Sequence, residues 1–219
     1  EKRNDIALIE ISDDSAITAA FTKNHFCAAP VQISKDNLNE SKPRYCLINA
    51  GNANAGTGKS GIKNAKIVCE TLANHAHCSK NEILPFSTGV IGEDLPVEKI
   101  NKVIPSLVGT LSDDCWLDVA KSIMTTDTIP KAVSSQVKIS NSIVSITGIA
   151  KGSGMIKPDM ATMLSFLATD VNVTQDCLDE IKDRALRESY NRIIVDGDTS
   201  TNDSFLLIST CKSKNPIIN

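Results

Sequence analysis

Residues 151–164 read Lys-Gly-Ser-Gly-Met-Ile-Lys-Pro-Asp-Met-Ala-Thr-Met-Leu, and no other stretch is as informative about this chain. It contains a loop of small residues, a proline, and then Thr162 directly after Ala161. A hydroxyl that follows a small, unobstructive residue can attack the carbonyl before it. If the Ala161–Thr162 bond breaks in this way, Thr162 becomes a new N-terminus with a nucleophile and a base on one residue. We therefore predict a self-cleaving threonine nucleophile at position 162.

Composition narrows the class of protein. A length of 219 residues suits one domain with a sizeable core. A net charge of −3 and an aromatic fraction of 4% argue against nucleic-acid binding and against an anionic membrane surface. No apolar run approaches the ~20 residues that a membrane span needs, and no signal peptide is apparent. The seven cysteines are odd in number and lack CxxC spacing, which favours a reducing, cytoplasmic compartment over a disulfide framework.

Hydrophobic patterning predicts both strands and helices. We expect strands at 6–11, 17–21, 31–33, 45–48, 85–92, 164–171 and 204–210, and a hairpin at 137–147. We expect helices at 61–77, at 97–107 with an end or kink at Pro105, at 113–123, and after an N-cap at Thr174. Because the two kinds of element do not alternate strictly, the fold class is α/β in the α+β sense, a layered sandwich of mixed sheets and helices.

The segment Gly58-Lys59-Ser60 follows a strand and precedes a helix, as a phosphate-binding P-loop would. Ala53 stands where that pattern needs its first glycine, and no strand ending in Asp offers a magnesium partner. A tight loop before a helix is the favoured interpretation, and a nucleotide-binding protein stays open as an alternative.

Two clusters invite a metal hypothesis and do not support it. His75 and His77 are two residues apart at a helix end, so they do not share a face, and no second cluster follows. The run Asp196–Asp203 is rich in oxygen ligands, but Thr201 occupies the position where a calcium loop needs glycine. We predict no metal and no cofactor. The run at 196–203 is either a polar turn or a polar wall of an active site.

Residues 87–92, Ser-Thr-Gly-Val-Ile-Gly, are a candidate oxyanion site. A glycine lets the backbone approach a substrate and direct an N–H at it, and the Thr88 hydroxyl beside Gly89 offers a second donor.

Taken in order, five segments resemble the ornithine acetyltransferase (glutamate N-acetyltransferase) family of arginine biosynthesis. They are Asn-Ala-Gly-Asn-Ala-Asn-Ala at 49–55, Ser-Thr-Gly-Val-Ile-Gly at 87–92, Met-Thr-Thr-Asp-Thr at 124–128, Lys-Gly-Ser-Gly-Met-Ile with Met-Ala-Thr-Met-Leu at 151–156 and 160–164, and Val-Asp-Gly-Asp-Thr-Ser-Thr-Asn-Asp at 195–203.

The resemblance implies a fold and a chemistry. Self-cleavage at Ala161–Thr162 would give an α chain, residues 1–161, and a β chain of which residues 162–219 are the first part. The two chains would associate as α2β2. Thr162 would be the nucleophile at the centre of an N-terminal-nucleophile-like fold, with Thr88 and Gly89 as the oxyanion pair. Thr128 and Lys151 would contact the substrates, N-acetylornithine and glutamate.

The sequence departs from the family pattern in two ways, and the resemblance leaves three questions open. Gly56 replaces the cysteine usual in the family, and the chain looks cut at both ends, without the part that would supply further substrate contacts. Acetyl-CoA as a second donor is open. So is an aminopeptidase or amidase on the same scaffold, with water as acceptor, and a fragment that only binds.

Overall fold

The chain forms eight strands and five α-helices in a computed structural model that describes residues 4–156 and 163–219. The strands are β1 Ile6–Glu10, β2 Ala16–Phe21, β3 Tyr45–Asn52, β4 Ile83–Val90, β5 Lys131–Ile139, β6 Ser142–Lys151, β7 Leu164–Thr169 and β8 Ser204–Ser209. The helices are α1 Ala29–Glu40, α2 Gly58–Ala76, α3 Val97–Gly109, α4 Trp116–Ser122 and α5 Gln175–Glu188, with short 3₁₀ turns at Lys80–Glu82 and Tyr190–Arg192.

The strands form two sheets, and each sheet is mixed. The smaller has the order β1-β3-β4, in which β1 runs antiparallel to β3 and β3 runs parallel to β4. The larger has the order β2-β8-β7-β6-β5, in which only β7 and β8 are parallel. The predicted mixed, layered α/β architecture is confirmed.

Side-chain alternation along the strands produces four layers. In β3, Cys46 and Ile48 point toward the larger sheet, where they join Phe166 and Leu206 in one core, while Leu47 faces the other way. The inner core is centred on an edge-to-face pair between Phe86 and Phe166, with ring centroids 5.0 Å apart. The outer faces are covered by α2 and α3 on the smaller sheet and by α5 on the larger, which gives the order helix, sheet, sheet, helix.

The predicted strand at 31–33 is wrong, because these residues belong to α1. Pro30 lies in the first turn of this helix, where its missing N–H costs nothing. The buried face of α1 is partly polar: Ser34 Oγ donates to the Pro85 carbonyl at 2.7 Å, and Asn37 Nδ2 donates to the Ile83 carbonyl at 2.7 Å. These side chains satisfy carbonyls of the edge strand β4, so the helix carries a buried pattern that an apolar count does not detect.

Two further predictions need correction in their limits. Helix α3 runs past Pro105 to Gly109. Ile100 and Ile104 pack this helix against the core. This packing compensates for the backbone hydrogen bond that is lost because Pro105 has no N–H. Helix α4 begins at Trp116, three residues later than its acidic start at Asp113 predicted. The predicted cap of α5 is confirmed, since Thr174 Oγ1 accepts from Cys177 N at 3.4 Å.

Candidate active site

A cavity of about 890 Å³ opens where the two sheets meet at the ends of β4 and β6 and the starts of β7 and β8. Residues from five segments that are far apart in sequence line it, namely 50–53, 88–91, 124–126, 151–155 and 200–203. Met163, the residue that follows Thr162 in the chain, also lines it. Three of the predicted site residues, Thr88, Gly89 and Lys151, are therefore brought to one cavity.

Two asparagines, one at the end of β3 and one in the loop after it, support the cavity wall. Asn52 accepts from Asn54 N at 2.8 Å and donates to the carbonyls of Glu93 and Asp94, which ties β3 to the loop after β4. Asn54 is fully buried and donates to the Gly61 carbonyl at 3.0 Å, across the start of α2. The side chain of Asn54 thus fills the turn at 53–58, as expected for a tight loop before a helix.

Gly89 lies on this wall in a backbone conformation that requires glycine. Its φ is +135°, and a Cβ placed there would lie 2.2 Å from the carbonyl carbon of Gly51 and 2.5 Å from Asn52 N. This close approach of β4 to the end of β3 leaves Gly89 exposed at the cavity. A backbone amide at such a position can come close to a bound ligand.

Lys151 joins two threonine hydroxyls at the cavity. Its Nζ donates to Thr88 Oγ1 and to Thr125 Oγ1, each at 2.9 Å. A hydroxyl that accepts from an ammonium retains its own proton, and the positive charge makes that proton a better donor. The Thr88 hydroxyl can therefore donate to a group in the cavity.

Asp127 fixes the turn that presents Thr125. Its carboxylate accepts from Lys131 Nζ at 2.6 Å, from Gly152 N at 2.8 Å and from Thr125 N at 3.2 Å. Burial alone would raise the pKa of Asp127, but these bonds and the nearby charge of Lys151 hold it below its ordinary value. The carboxylate thus links the 124–131 turn to the start of the 152–156 loop.

The run Asp196–Asp203 forms a wall of the cavity. Asp196 accepts from Met155 N at 2.5 Å and from Ile156 N at 2.9 Å, and these bonds lower its pKa. They hold Met155 in the left-handed region, with φ of +53°, where a non-glycine residue is uncommon. Asn202, at the other end, donates to the carbonyls of Ala53 and Ser87 at 2.7 and 2.9 Å. Of the two interpretations open for this run, the polar wall fits its position.

Asp203 is the acid of this wall that is buried. Its residue is 2% exposed, and its Oδ2 has no hydrogen-bond partner among residues 4–156 and 163–219. Burial raises the pKa of Asp203 to about 8, against the opposing effects of Ser200 and the charge of Lys151. A carboxyl with such a pKa exchanges its proton close to neutral pH.

Two predicted site residues need separate mention. Ala161 and Thr162 lie outside the residues that the structure describes. Thr128 is exposed and does not line the cavity, whereas Thr125, three residues earlier in the same marker, does. Sequence reasoning missed Thr125 because three threonines in five residues give no sign that the turn brings Thr125 and Thr126, and not Thr128, to the cavity.

Within the described part of the chain, no cluster of three or more His, Cys, Asp or Glu side chains has the arrangement needed for a metal ion. In the same ranges, none of the helices combines the length and apolar character of a membrane span.

Comparisons with known proteins agree with the resemblance that the five sequence segments indicate. A family model described as "ArgJ family" matches residues 1–218. The "Arginine biosynthesis bifunctional protein ArgJ" of Methylococcus capsulatus is 47% identical over 99% of this chain and 53% of its own length. The protein of the same name from Psychrobacter arcticus is 48% identical, with the same coverage. The chain thus spans about half the length of the curated relatives it matches.

Two crystal structures are similar in fold. One is the arginine biosynthesis bifunctional protein ArgJ of Bacillus halodurans, with a TM-score of 0.59 and 28% identity over 74% of this chain and 92% of that one. The other is an ornithine acetyltransferase from Mycobacterium tuberculosis complexed with ornithine. It has a TM-score of 0.61 and 28% identity over 73% of this chain and 84% of that one.

Proposed function

Because the chain belongs to the ArgJ family, we propose that it is an acetyltransferase of arginine biosynthesis that matures by cleaving itself between Ala161 and Thr162. Residues 1–161 then form an α chain, and a β chain begins with Thr162. The mature enzyme moves the acetyl group of N-acetylornithine to glutamate and works in the cytoplasm as an α2β2 assembly. One observation carries the proposal: Lys151 donates to both Thr88 and Thr125 in a cavity that the residue after Thr162 also lines.

The transfer proceeds by double displacement. Thr162 Oγ attacks the acetyl carbonyl of N-acetylornithine while its own α-amine takes the hydroxyl proton. An α-amine has an ordinary pKa of about 7.7–8.0, so roughly a tenth to a sixth of it is free base at pH 7 and can act as the proton acceptor. The bond from carbon to the ornithine nitrogen then breaks, and the α-ammonium returns the proton to that nitrogen. Glutamate attacks the resulting ester by the reverse sequence.

Thr88 and Gly89 stabilise the oxygen that becomes negative in each tetrahedral intermediate. The Thr88 hydroxyl accepts from Lys151 and so has its own proton to donate. The amide of Gly89 is the second donor. Position 89 requires glycine, because a side chain there would collide with Gly51. The loss of one such donor typically raises the barrier by about 2.7–4 kcal/mol.

Thr125 is the better candidate for the substrate contact that the resemblance placed at Thr128. The hydroxyl of Thr125 lies 2.9 Å from Lys151 Nζ on the cavity wall, while Thr128 is exposed away from it. Lys151 then has two roles, as a charge for a substrate carboxylate and as the group that orders both hydroxyls.

The matched pair Thr125→Val and Thr128→Val tests this assignment. We expect Thr125→Val to lower kcat/KM by about 10-fold or more, as for the loss of a charge-assisted hydrogen bond, and Thr128→Val to stay near the parent rate. A loss confined to Thr128→Val would return the role to the residue that the resemblance indicated.

The self-cleavage is tested by the intact mass of Thr162→Ala, which should remain one polypeptide while the parent protein divides. Assays with glutamate, water and acetyl-CoA then separate acetyl transfer from hydrolysis and from a second donor. Release of ornithine without acetylglutamate would favour the amidase alternative. Initial-rate lines that intersect, where a double displacement requires parallel ones, would contradict the acyl-enzyme.

A further inference from the structure

We propose that Asp203 is the general base of the self-cleavage step, distinct from the α-amine that serves acetyl transfer. This inference rests on the self-cleavage proposed above. It concerns the uncut chain, in which the nitrogen of Thr162 is still part of a peptide bond. An amide nitrogen does not accept a proton from a hydroxyl at neutral pH, so the base of the mature enzyme does not yet exist. Another group must take that proton.

The described residues of the cavity include four titratable side chains, Asp5, Lys151, Asp196 and Asp203. Asp196 is a poor base, because three backbone amides, of Met155, Ile156 and Asp198, donate to it and stabilise its ionised form. Lys151 is a donor to two hydroxyls. Asp5 is exposed to solvent. Only Asp203, among the four, is both buried and left with an unpartnered oxygen in the described part of the chain.

The strand pairing places Asp203 next to the chain that follows the scissile bond. Leu164 pairs with Ser204 in the parallel register of β7 and β8, and Ser204 N donates to the Met163 carbonyl at 3.0 Å. Asp203 precedes Ser204 and Met163 precedes Leu164, so Asp203 and Met163 lie side by side where the two strands begin to pair. Met163 is the residue that directly follows Thr162 in the chain.

The proton affinity of Asp203 suits the role. Burial of the carboxyl raises its pKa to about 8, whereas Ser200 and the charge of Lys151 act in the opposite direction. A general base is most effective when its pKa lies near the working pH, since it is then partly ionised and still basic. An ordinary aspartate, with a pKa near 3.9, would be a much weaker proton acceptor.

The step balances in atoms and charge. The Asp203 carboxylate takes the hydroxyl proton as Thr162 Oγ bonds to the Ala161 carbonyl carbon. The bond from that carbon to the Thr162 nitrogen then breaks, and the Asp203 carboxyl returns the proton to the nitrogen, which becomes the free α-amine. Water finally hydrolyses the ester between Ala161 and Thr162 Oγ, giving the carboxyl end of residue 161 and the free hydroxyl.

The test is the rate of cleavage in freshly translated protein, followed by intact mass in buffers between about pH 6 and 9. We expect the parent rate to rise through about pH 8 and then level, as Asp203 ionises. Asp203→Asn should cleave at least about 10²-fold more slowly and lose this rise, and Asp203→Glu should recover part of the rate. The matched control is Asp170→Asn, because the Asp170 carboxylate accepts from Ser145 N outside the cavity; it should cleave at the parent rate.

A second measurement does not depend on the folding of Asp203→Asn. Because the charge of Lys151 lowers the pKa of Asp203, Lys151→Met should move the midpoint of the pH–rate curve to higher pH. An unmoved or lowered midpoint, or Asp203→Asn cleaving at the parent rate with the same rise, overturns the role of Asp203. Cleavage of Thr162→Ala would instead overturn the proposed function, so the two failures are distinguishable.

Discussion

The burial of Asp203 predicts how the stability of the protein depends on pH, and this prediction can be tested without any assay of catalysis. A carboxyl whose pKa is raised from 3.8 to about 8 on folding holds a proton in the native state that the unfolded chain releases. Its contribution to stability is therefore complete below about pH 4 and is lost as the pH rises through about 8. One such proton changes the free energy of unfolding by up to about 1.4 kcal/mol per pH unit, or about 4 kcal/mol between pH 5 and 8.

Asp203→Asn removes this dependence. The comparison is made in the Thr162→Ala background, so that both proteins remain one polypeptide, by urea unfolding at several pH values from about 5 to 8. We expect the stability of Asp203→Asn relative to its parent to increase by about 4 kcal/mol over this range. The acids whose pKa is lowered, Asp127 and Asp196 among them, act in the opposite direction but are present in both proteins and cancel. Parallel stability curves would refute the buried, proton-holding carboxyl.

Three further predictions concern the cavity wall. Gly89→Ala should lower the free energy of unfolding, measured in urea, by more than about 3 kcal/mol, because the new Cβ would collide with Gly51 and the positive φ would be strained. The control is Gly92→Ala, where φ is +86° and the space is open. It should lower the free energy of unfolding by only about 1–2 kcal/mol. Equal losses would show that the collision is relieved. Thr88→Val should lower kcat for acetyl transfer by about 10²–10³-fold, and an unchanged kcat would remove Thr88 from the oxyanion pair. Asn202→Ala should cost about 2–4 kcal/mol, since it leaves the buried carbonyls of Ala53 and Ser87 without their donor; a loss below about 0.5 kcal/mol would contradict that role.

Much of the fold could be predicted because its apolar residues follow the period of their element. Helix α2 places Ala65, Val68 and Leu72 on one buried face, and the hairpin of β5 and β6 turns at Asn141 as the alternation predicted. Prediction failed where burial is polar. Helix α1 buries Ser34 and Asn37 to satisfy carbonyls of β4, and nothing in its local sequence marks these side chains as buried.

The candidate site was predictable in its parts and not in its assembly. The resemblance supplied Thr88, Gly89 and Lys151, and the folded chain brings all three to one cavity. The choice between Thr125 and Thr128 depends on the turn that Asp127 fixes, which is a tertiary arrangement. The burial of Asp203 likewise depends on where β8 meets β7, so a single sequence could not separate a polar turn from an active-site wall.

The most direct test of the central claim is to locate the acetyl group. The protein is incubated with N-acetylornithine in the absence of glutamate, quenched in acid, digested and analysed by mass spectrometry. We predict one added acetyl group on the hydroxyl of a peptide whose N-terminal residue is Thr162, removed again when glutamate is supplied. An uncut Ala161–Thr162 bond, or an acetyl group on any other residue, would contradict the account.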